Sequence, residues 1–168
     1  MKKLVLFTLG AAALLLAQGR VSPHEKVTAT ISGKKVTIEY GRPSMKGRKI
    51  FGGLVPYGEV WRTGADEATT ITTEGDLMVG PLHVPAGSYS LFTIPNQKEW
   101  TLILNKQVKQ WGAFKYDAKV DFGRAPMKVG TGPKTEQFTI AIQPEGSHEA
   151  VLKMMWEETT ASIDIMMH

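Results

Sequence analysis

Strict alternation of apolar and polar side chains is the feature that most limits what this chain can fold into. In the segment KVTATIS, which begins at Lys26, the apolar residues Val27, Ala29 and Ile31 alternate with polar neighbours. A period of two is that of a β-strand with one buried face, whereas a helix repeats about every 3.6 residues. A second alternating run, KVTIEY, follows a glycine-containing turn, so the two runs predict a β-hairpin.

Short strands are predicted along the rest of the chain, and turn-forming segments separate them at fairly even spacing. The further predicted strands are residues 68–73, 77–79, 82–84, 88–94, 100–105, 127–129, 136–142, 150–157 and 161–166. Helical turns are expected only within Val60–Thr63 and Gln107–Lys115. About ten short strands and few helices predict an all-β fold, a single-domain antiparallel β-sandwich of jelly-roll-like form. An immunoglobulin-like sandwich is disfavoured, because the chain has no cysteine and therefore lacks the Cys…Trp…Cys spacing of such domains.

The N-terminal residues have the pattern of a signal peptide. A basic start, MKK, precedes the apolar run Leu4–Ala17, and small residues stand at Ala17 and Gly19. The apolar run is too short for a membrane-spanning helix, which needs about 20 residues. We therefore expect residues 1–19 to be a signal peptide and residues 20–168 to form one domain, periplasmic or secreted. Without a cysteine the chain cannot be a lipoprotein.

The charge balance argues against a nucleic-acid partner. The sequence has 20 basic and 16 acidic residues, and removal of the signal peptide with Lys2 and Lys3 leaves 18 against 16. Nucleic-acid-binding domains usually show a much stronger basic excess. We expect no nucleic acid and no membrane span, and the sequence does not indicate an oligomeric state.

Motifs for metal, cofactor and nucleophilic chemistry are missing from the sequence. The four histidines are far apart and form no H-x-H or H-E-x-x-H spacing. No G-x-S-x-G elbow is present, and the stretch GTGPK has a proline where a phosphate-binding helix would begin. We therefore expect no metal, no cofactor and no catalytic nucleophile.

Chemistry-bearing residues are concentrated in the segment Arg42–Glu67, which lacks the period-two pattern. Arginines suit carboxylate or phosphate recognition, and exposed aromatic rings beside acids suit sugars. The candidate ligand-binding residues are Arg42, Lys46, Arg48, Tyr57, Trp61, Arg62, Asp66 and Glu67. A second interpretation stays open, in which Arg48 and Arg62 pair with these acids inside the protein. The segment would then be a structural clasp with Trp61 as its hydrophobic plug.

Three classes of function are compatible with this segment. The leading hypothesis is an exported, non-catalytic β-sandwich that binds a saccharide or a small anionic ligand. An alternative is a glycan- or ester-acting hydrolase that uses Asp66 and Glu67 as a carboxylate pair. A third is a structural or interaction protein of the cell envelope, which would show an exposed apolar patch.

Three stretches give the chain a family resemblance. They are RPSMKGRKIFGGLVPYGEVWRTGADEATTITT, LHVPAGSYSLFTIPNQKEWTLILNK and QWGAFKYD. Over about Ser22 to Trp156 the chain resembles the bacterial domain-of-unknown-function family 2911. The resemblance implies export and one β-rich domain with Arg42–Thr70 as its signature, and it implies no catalytic residue. Asp66 departs from the asparagine expected in the family's GANEATT version, which weakens the case for a carboxylate pair.

Overall fold

The computed structural model describes residues 21–168, and the predicted signal peptide lies outside the described residues. The described chain consists of nine strands and one short 3-10 helix. The strands are β1 (His24–Ile31), β2 (Lys34–Gly41), β3 (Thr69–Thr73), β4 (Leu77–Val79), β5 (Leu82–Val84), β6 (Gly87–Ile94), β7 (Glu99–Asn105), β8 (Asp121–Pro144) and β9 (Glu149–Met166). No helix in this part of the chain is long and apolar enough to cross a membrane.

All nine strands belong to one antiparallel sheet, which confirms the all-β prediction. Their order across the sheet is β1-β2-β3-β6-β7-β8-β9-β4-β5. The sheet curls, because β1 contacts β8 although four strands separate the two in this order. The backbone amide of Ile140 in β8 also donates a hydrogen bond of 2.9 Å to the hydroxyl of Tyr40 in β2. The two halves of the sheet therefore face each other across a shared interior.

The predicted β1–β2 hairpin is present, and its turn consists of Ser32 and Gly33. Both have positive φ, 50° and 75°, as a type I′ turn requires, and this turn matches the right-handed twist of the strands it joins. The register pairs Val27 with Ile38 and Ala29 with Val36. Alternate side chains of both strands are consequently buried on the same face.

Two predicted boundaries within the C-terminal half are wrong. The predicted strands 127–129 and 136–142 are parts of one strand, β8, and the predicted strands 150–157 and 161–166 are both within β9. The β8–β9 register shifts between Thr131 and Thr139, so the ladder continues through the places where the alternating pattern is interrupted. No helix forms within either predicted range, although residues 112–115 make a hydrogen-bonded turn; the short helix of the described chain is Ala118–Val120.

The main hydrophobic core takes side chains from all nine strands. A smaller cluster on the other face of β6 and β7 consists of Ala68, Phe92 and Ile103, with Val60 and Tyr116 among the residues packed against it. Strands β6 and β7 are therefore covered on both faces. This agrees with the apolar residues found on both faces of β6 in the sequence.

Candidate functional site

The residues that connect β2 to β3, 42–68, contain every predicted site residue, and we call them the β2–β3 segment. The segment is attached to the sheet along its length. Met45 donates its backbone N–H to the carbonyl of Glu136 at 2.8 Å, and the backbone groups of Trp61 and Thr93 exchange two hydrogen bonds of 2.8 and 3.0 Å. Because its backbone is bonded in this way, the segment can hold side chains in fixed positions.

Trp61 is a core residue and does not offer a ring face for stacking on a sugar. Its exposed fraction is 8%, and its ring lies 6.0 Å from that of Trp156 in a stacked arrangement. Phe138 and Trp100 make edge contacts with it at 5.0 and 6.1 Å. The interpretation of Trp61 as a hydrophobic plug fits this geometry, and its interpretation as an exposed platform does not.

Arg42 holds three strands together. Its Nη1 donates to Glu25 Oε2 of β1 at 2.5 Å. Its Nε donates to the carbonyl of Phe138 at 3.0 Å and its Nη2 to the hydroxyl of Thr139 at 2.9 Å, both in β8. Every nitrogen of the guanidinium therefore has a protein partner, and Arg42 fits the structural interpretation.

Two glutamates that the sequence analysis did not select hold the rest of the segment. Glu136 Oε1 accepts the backbone N–H of Lys46 at 2.9 Å. Glu157 accepts two backbone N–H groups, from Ile50 at 3.0 Å and from Phe51 at 2.9 Å. The signal in the sequence was a break in the alternating pattern near residues 157–160, where the strand irregularity turns the Glu157 carboxylate toward the segment.

Close backbone packing explains the glycine just before the segment, Gly41, and one within it, Gly64. Ala65 donates its N–H to the carbonyl of Gly41 at 3.3 Å. A Cβ on Gly41 would lie 2.2 Å from the Ala65 oxygen, and one on Gly64 would lie 2.7 Å from the Gly41 oxygen. Neither position has space for a side chain.

The two acids proposed as a catalytic pair have different surroundings. Asp66 has a φ of 63°, and its carboxylate accepts the backbone N–H groups of Val21 and Ser22 at 3.4 and 3.2 Å. Glu67 forms a backbone bridge with Trp111. Asp66 lines the cavity described next and Glu67 does not. The geometry therefore gives no support to a carboxylate dyad.

A cavity of ≈ 520 Å³ lies between the β2–β3 segment and the start of the described chain. Six of the eight predicted site residues line it; Tyr57 and Glu67 do not. The charged lining residues are Arg42, Lys46, Arg48, Arg62, Glu59 and Asp66. Four cations therefore line the cavity beside two acids, and the carboxylate of Asp66 already accepts hydrogen bonds from the backbone amides of Val21 and Ser22.

Arg48 and Arg62 are the residues on which the binding and clasp interpretations of the segment differ. Arg48 is exposed, and its guanidinium is positioned by the carbonyls of Met45 and Ser44, which accept from Nε at 2.9 Å and from Nη2 at 2.7 Å. The side chain is thereby fixed without being neutralised.

Arg62 differs from Arg42 in having one guanidinium nitrogen without a hydrogen-bond partner. Its Nε is buried and has no hydrogen-bond partner among the described residues. A buried donor that lacks an acceptor costs about 1–3 kcal/mol, so such groups are rare in folded proteins and call for an explanation. An acceptor supplied by a ligand would remove this cost.

A larger cavity of ≈ 1090 Å³ lies elsewhere, beside β4 and the β8–β9 turn. Its charged lining residues are mainly acids, and none of the predicted site residues contributes to it. The acidic lining residues are Glu74, Asp76, Glu145, Glu149 and Asp164. No unpartnered buried side-chain donor or acceptor lines this cavity in the described residues, so the smaller cavity is the better candidate site.

Fold and cavity together define a class: an antiparallel β-protein with a basic cavity under one long, fixed connection. The chain belongs to the family described as "Protein of unknown function (DUF2911)", whose model matches residues 22–165. This match confirms the family resemblance seen in the sequence. A comparison with curated proteins gave no match, and neither did a comparison with solved structures.

Proposed function

We propose that this protein is exported and binds a small anionic ligand, without catalysis, in the cavity beneath the β2–β3 segment. The observation that carries the proposal is the buried Nε of Arg62, a cationic donor without a partner at the wall of a cavity. A carboxylate or phosphate oxygen is its natural acceptor, since a charge-assisted hydrogen bond to arginine is stronger than one between neutral groups.

The second arginine supports the same class of ligand. Two of the five N–H groups of Arg48 bond to backbone carbonyls, which leaves its remaining donors for a ligand. Its orientation is fixed before binding, so little side-chain entropy is lost when the ligand arrives. Lys46 adds a third charge at the same wall.

An anion is favoured over a neutral saccharide. Sugar-binding sites use an exposed aromatic face, and the ring of Trp61 is packed among Phe138, Trp100 and Trp156 instead. Tyr57 is 39% exposed but lies outside the cavity lining. An anionic sugar, such as a uronic acid or a sugar phosphate, retains the charge that the arginines require.

The test is a thermal-shift titration with inorganic phosphate, small di- and tricarboxylates, uronic acids and neutral disaccharides. The protein is taken from its exported fraction, and its mass shows whether residues 1–19 have been removed. A ligand at a hundred times its dissociation constant stabilises the folded state by about 2.7 kcal/mol. We expect such a shift with at least one anion and none with the neutral sugars.

Arg62→Gln and Arg48→Gln should each abolish that shift, whereas Lys128→Gln should retain it. Lys128 is exposed on β8 and does not line the cavity, so its variant removes one charge without touching the site. Trp61→Ala is unsuitable because it would open the core. Equal shifts in all three variants would show nonspecific ion effects and overturn the proposal, as would the absence of any shift.

A further inference from the structure

Two aromatic side chains stand exposed on the connection between β7 and β8, and we call residues 106–119 the aromatic loop. Trp111 is 49% exposed and Phe114 is 86% exposed. Single exposed apolar residues are ordinary on a protein surface. A tryptophan and a phenylalanine three positions apart on one loop form a local apolar feature, of the kind that marks an interaction site.

The loop presents these side chains from a fixed backbone. Gly112 donates its N–H to the carbonyl of Asp66 at 2.9 Å, and Ala68 donates to the carbonyl of Gln110 at 2.8 Å. Ala113 and Tyr116 pack against the smaller hydrophobic cluster. The neighbours of both aromatics are therefore anchored, and the exposure of Trp111 and Phe114 results from the fold.

Positive charge predominates among the residues of the aromatic loop itself. Four lysines of the loop are exposed, and Asp117 is its one acid. The lysines are Lys106, Lys109, Lys115 and Lys119. The carboxylate of Asp117 accepts the backbone N–H of Lys119 at 2.9 Å, where it caps the short helix. The loop thus has an excess of three positive charges in a chain whose overall balance is close to neutral.

We propose that the aromatic loop docks on an anionic lipid bilayer surface, with Trp111 and Phe114 in the interface and the lysines against the headgroups. Tryptophan is suited to the boundary between headgroups and acyl chains, because its ring is apolar and its N–H is polar. Lysines near an anionic surface each strengthen binding roughly fivefold. Apolar contact combined with basic charge is the usual basis of peripheral membrane attachment.

The start of the described chain lies on the same side of the molecule. Asp66 links the two regions, since its carboxylate accepts from Val21 and Ser22 while its carbonyl accepts from Gly112. Val21 is itself 89% exposed. The first described residues therefore lie close to the aromatic loop.

The experiment is co-flotation of the purified protein with vesicles of phosphatidylcholine, alone and with phosphatidylglycerol. We expect binding to the anionic vesicles, weakening as salt rises, and little binding to the neutral ones. Tryptophan fluorescence gives an independent readout. Trp61, Trp100 and Trp156 are at most 8% exposed, so a blue shift on binding and quenching by brominated lipid would report Trp111.

Matched variants distinguish binding by the aromatic loop from binding that depends only on the net charge of the protein. Trp111→Ala combined with Phe114→Ala should weaken vesicle binding roughly tenfold or more, because two aromatic side chains no longer leave water. Lys109→Gln with Lys115→Gln should also weaken it, whereas Lys128→Gln with Lys134→Gln, on β8, should have little effect.

The proposal is overturned if anionic vesicles bind nothing at low salt, or if the aromatic and control variants bind equally. A Trp111 blue shift that depends on protein concentration and occurs without lipid would assign the surface to a second copy of this chain. Tight binding to single-stranded nucleic acid, with no binding to vesicles, would indicate that the aromatic loop stacks on bases. Either result contradicts the lipid assignment. None of these outcomes depends on the anion cavity, so the two proposals fail separately.

Discussion

Glu157 shows how one side chain can determine the position of a loop. Its backbone has a φ of 54° at a shift in the β8–β9 register. Its carboxylate then holds the N–H groups of Ile50 and Phe51. Phe51 in turn packs 4.9 Å from the ring of Trp100 and 5.9 Å from that of Trp61. A polar contact at the strand thus supports the aromatic core below the candidate site.

We expect Glu157→Gln to lower the free energy of unfolding by about 2 kcal/mol, because hydrogen bonds to a charged acceptor contribute about 1.5–3 kcal/mol. A glutamine can accept only one of the two N–H groups well, and its own amide N–H₂ opposes the other. Urea unfolding measures the change.

Glu158→Gln is the matched control. Glu158 is the neighbouring residue and is exposed, so its variant should stay within about 0.5 kcal/mol of the parent. Equal losses in the two variants would mean that the Glu157 contacts do not stabilise the segment.

At the residue scale the sequence located the candidate site but did not determine the direction of its side chains. The segment Arg42–Glu67 was selected on composition, and six of the eight chosen residues line one cavity. Trp61 was expected either at the surface or as a hydrophobic plug, and its burial fits only the plug. Without a period-two pattern, the sequence gives no rule for which side chains of a loop face inward. Glu157 was missed because it is far from the segment in sequence.

At the scale of the elements, β2 and β8 meet at a buried tyrosine. Tyr40 is 1% exposed, and its hydroxyl accepts the backbone N–H of Ile140. Burial raises the pKa of this phenol above its ordinary value of 10.0, although the hydrogen bond from Ile140 opposes the change. Burial also raises the pKa values of Tyr89 and Tyr116.

These shifts predict how the stability falls in alkali. The folded state favours the neutral phenols, so their contribution is fully present below about pH 10, the unfolded value. The contribution is lost as the pH rises through the higher folded-state pKa values. We expect the melting temperature to decline above about pH 10, and absorbance of ionised tyrosine to rise together with unfolding.

Tyr40→Phe distinguishes the loss of stability caused by ionisation of Tyr40 from the loss caused by repulsion among all the negative charges of the protein at high pH. At about pH 7 the variant should lose roughly 1–2 kcal/mol, since Ile140 loses its acceptor. Above about pH 10 its stability should fall less steeply than that of the parent. The same slope in both proteins would contradict the assignment to Tyr40.

The elements themselves were largely predictable, and the errors have one physical origin. The hairpin β1–β2 and the strands around β6 have uninterrupted alternation, which is the pattern of a strand with a defined inner face. Strands β8 and β9 were divided because their middle portions are more exposed, as at Gly130 and Lys134. A ladder can continue through an irregularity in register, although the hydrophobic pattern stops there.

At the scale of the whole molecule, the sheet is closed by pairing between distant parts of the chain. Among the described strands, the β4–β5 hairpin is paired to the rest of the sheet through β9 alone, where Met78 pairs with Met166 and Val79 with Ile165. Ile165 and Met167 are each 1% exposed. The position of the hairpin therefore depends on residues near position 165.

We expect removal of residues 165–168 to lower the free energy of unfolding by roughly 4 kcal/mol or more, because two large buried side chains and the pairing with β4 are lost. Removal of His168 alone should have little effect, since it is exposed. Chemical denaturation of both truncations measures the difference. A small loss in the longer truncation would show that β4–β5 is held by other contacts.

The same pairing has a consequence for the order in which the fold can be assembled. Strands β4 and β5 are synthesised early, yet the neighbour that places them in the sheet is β9. A ribosome-bound chain that has emerged only through β8 therefore cannot complete the sheet, however long it waits. Non-local pairing of this kind slows folding. For the export proposed above, such a delay would leave the sheet incomplete until β9 has been synthesised.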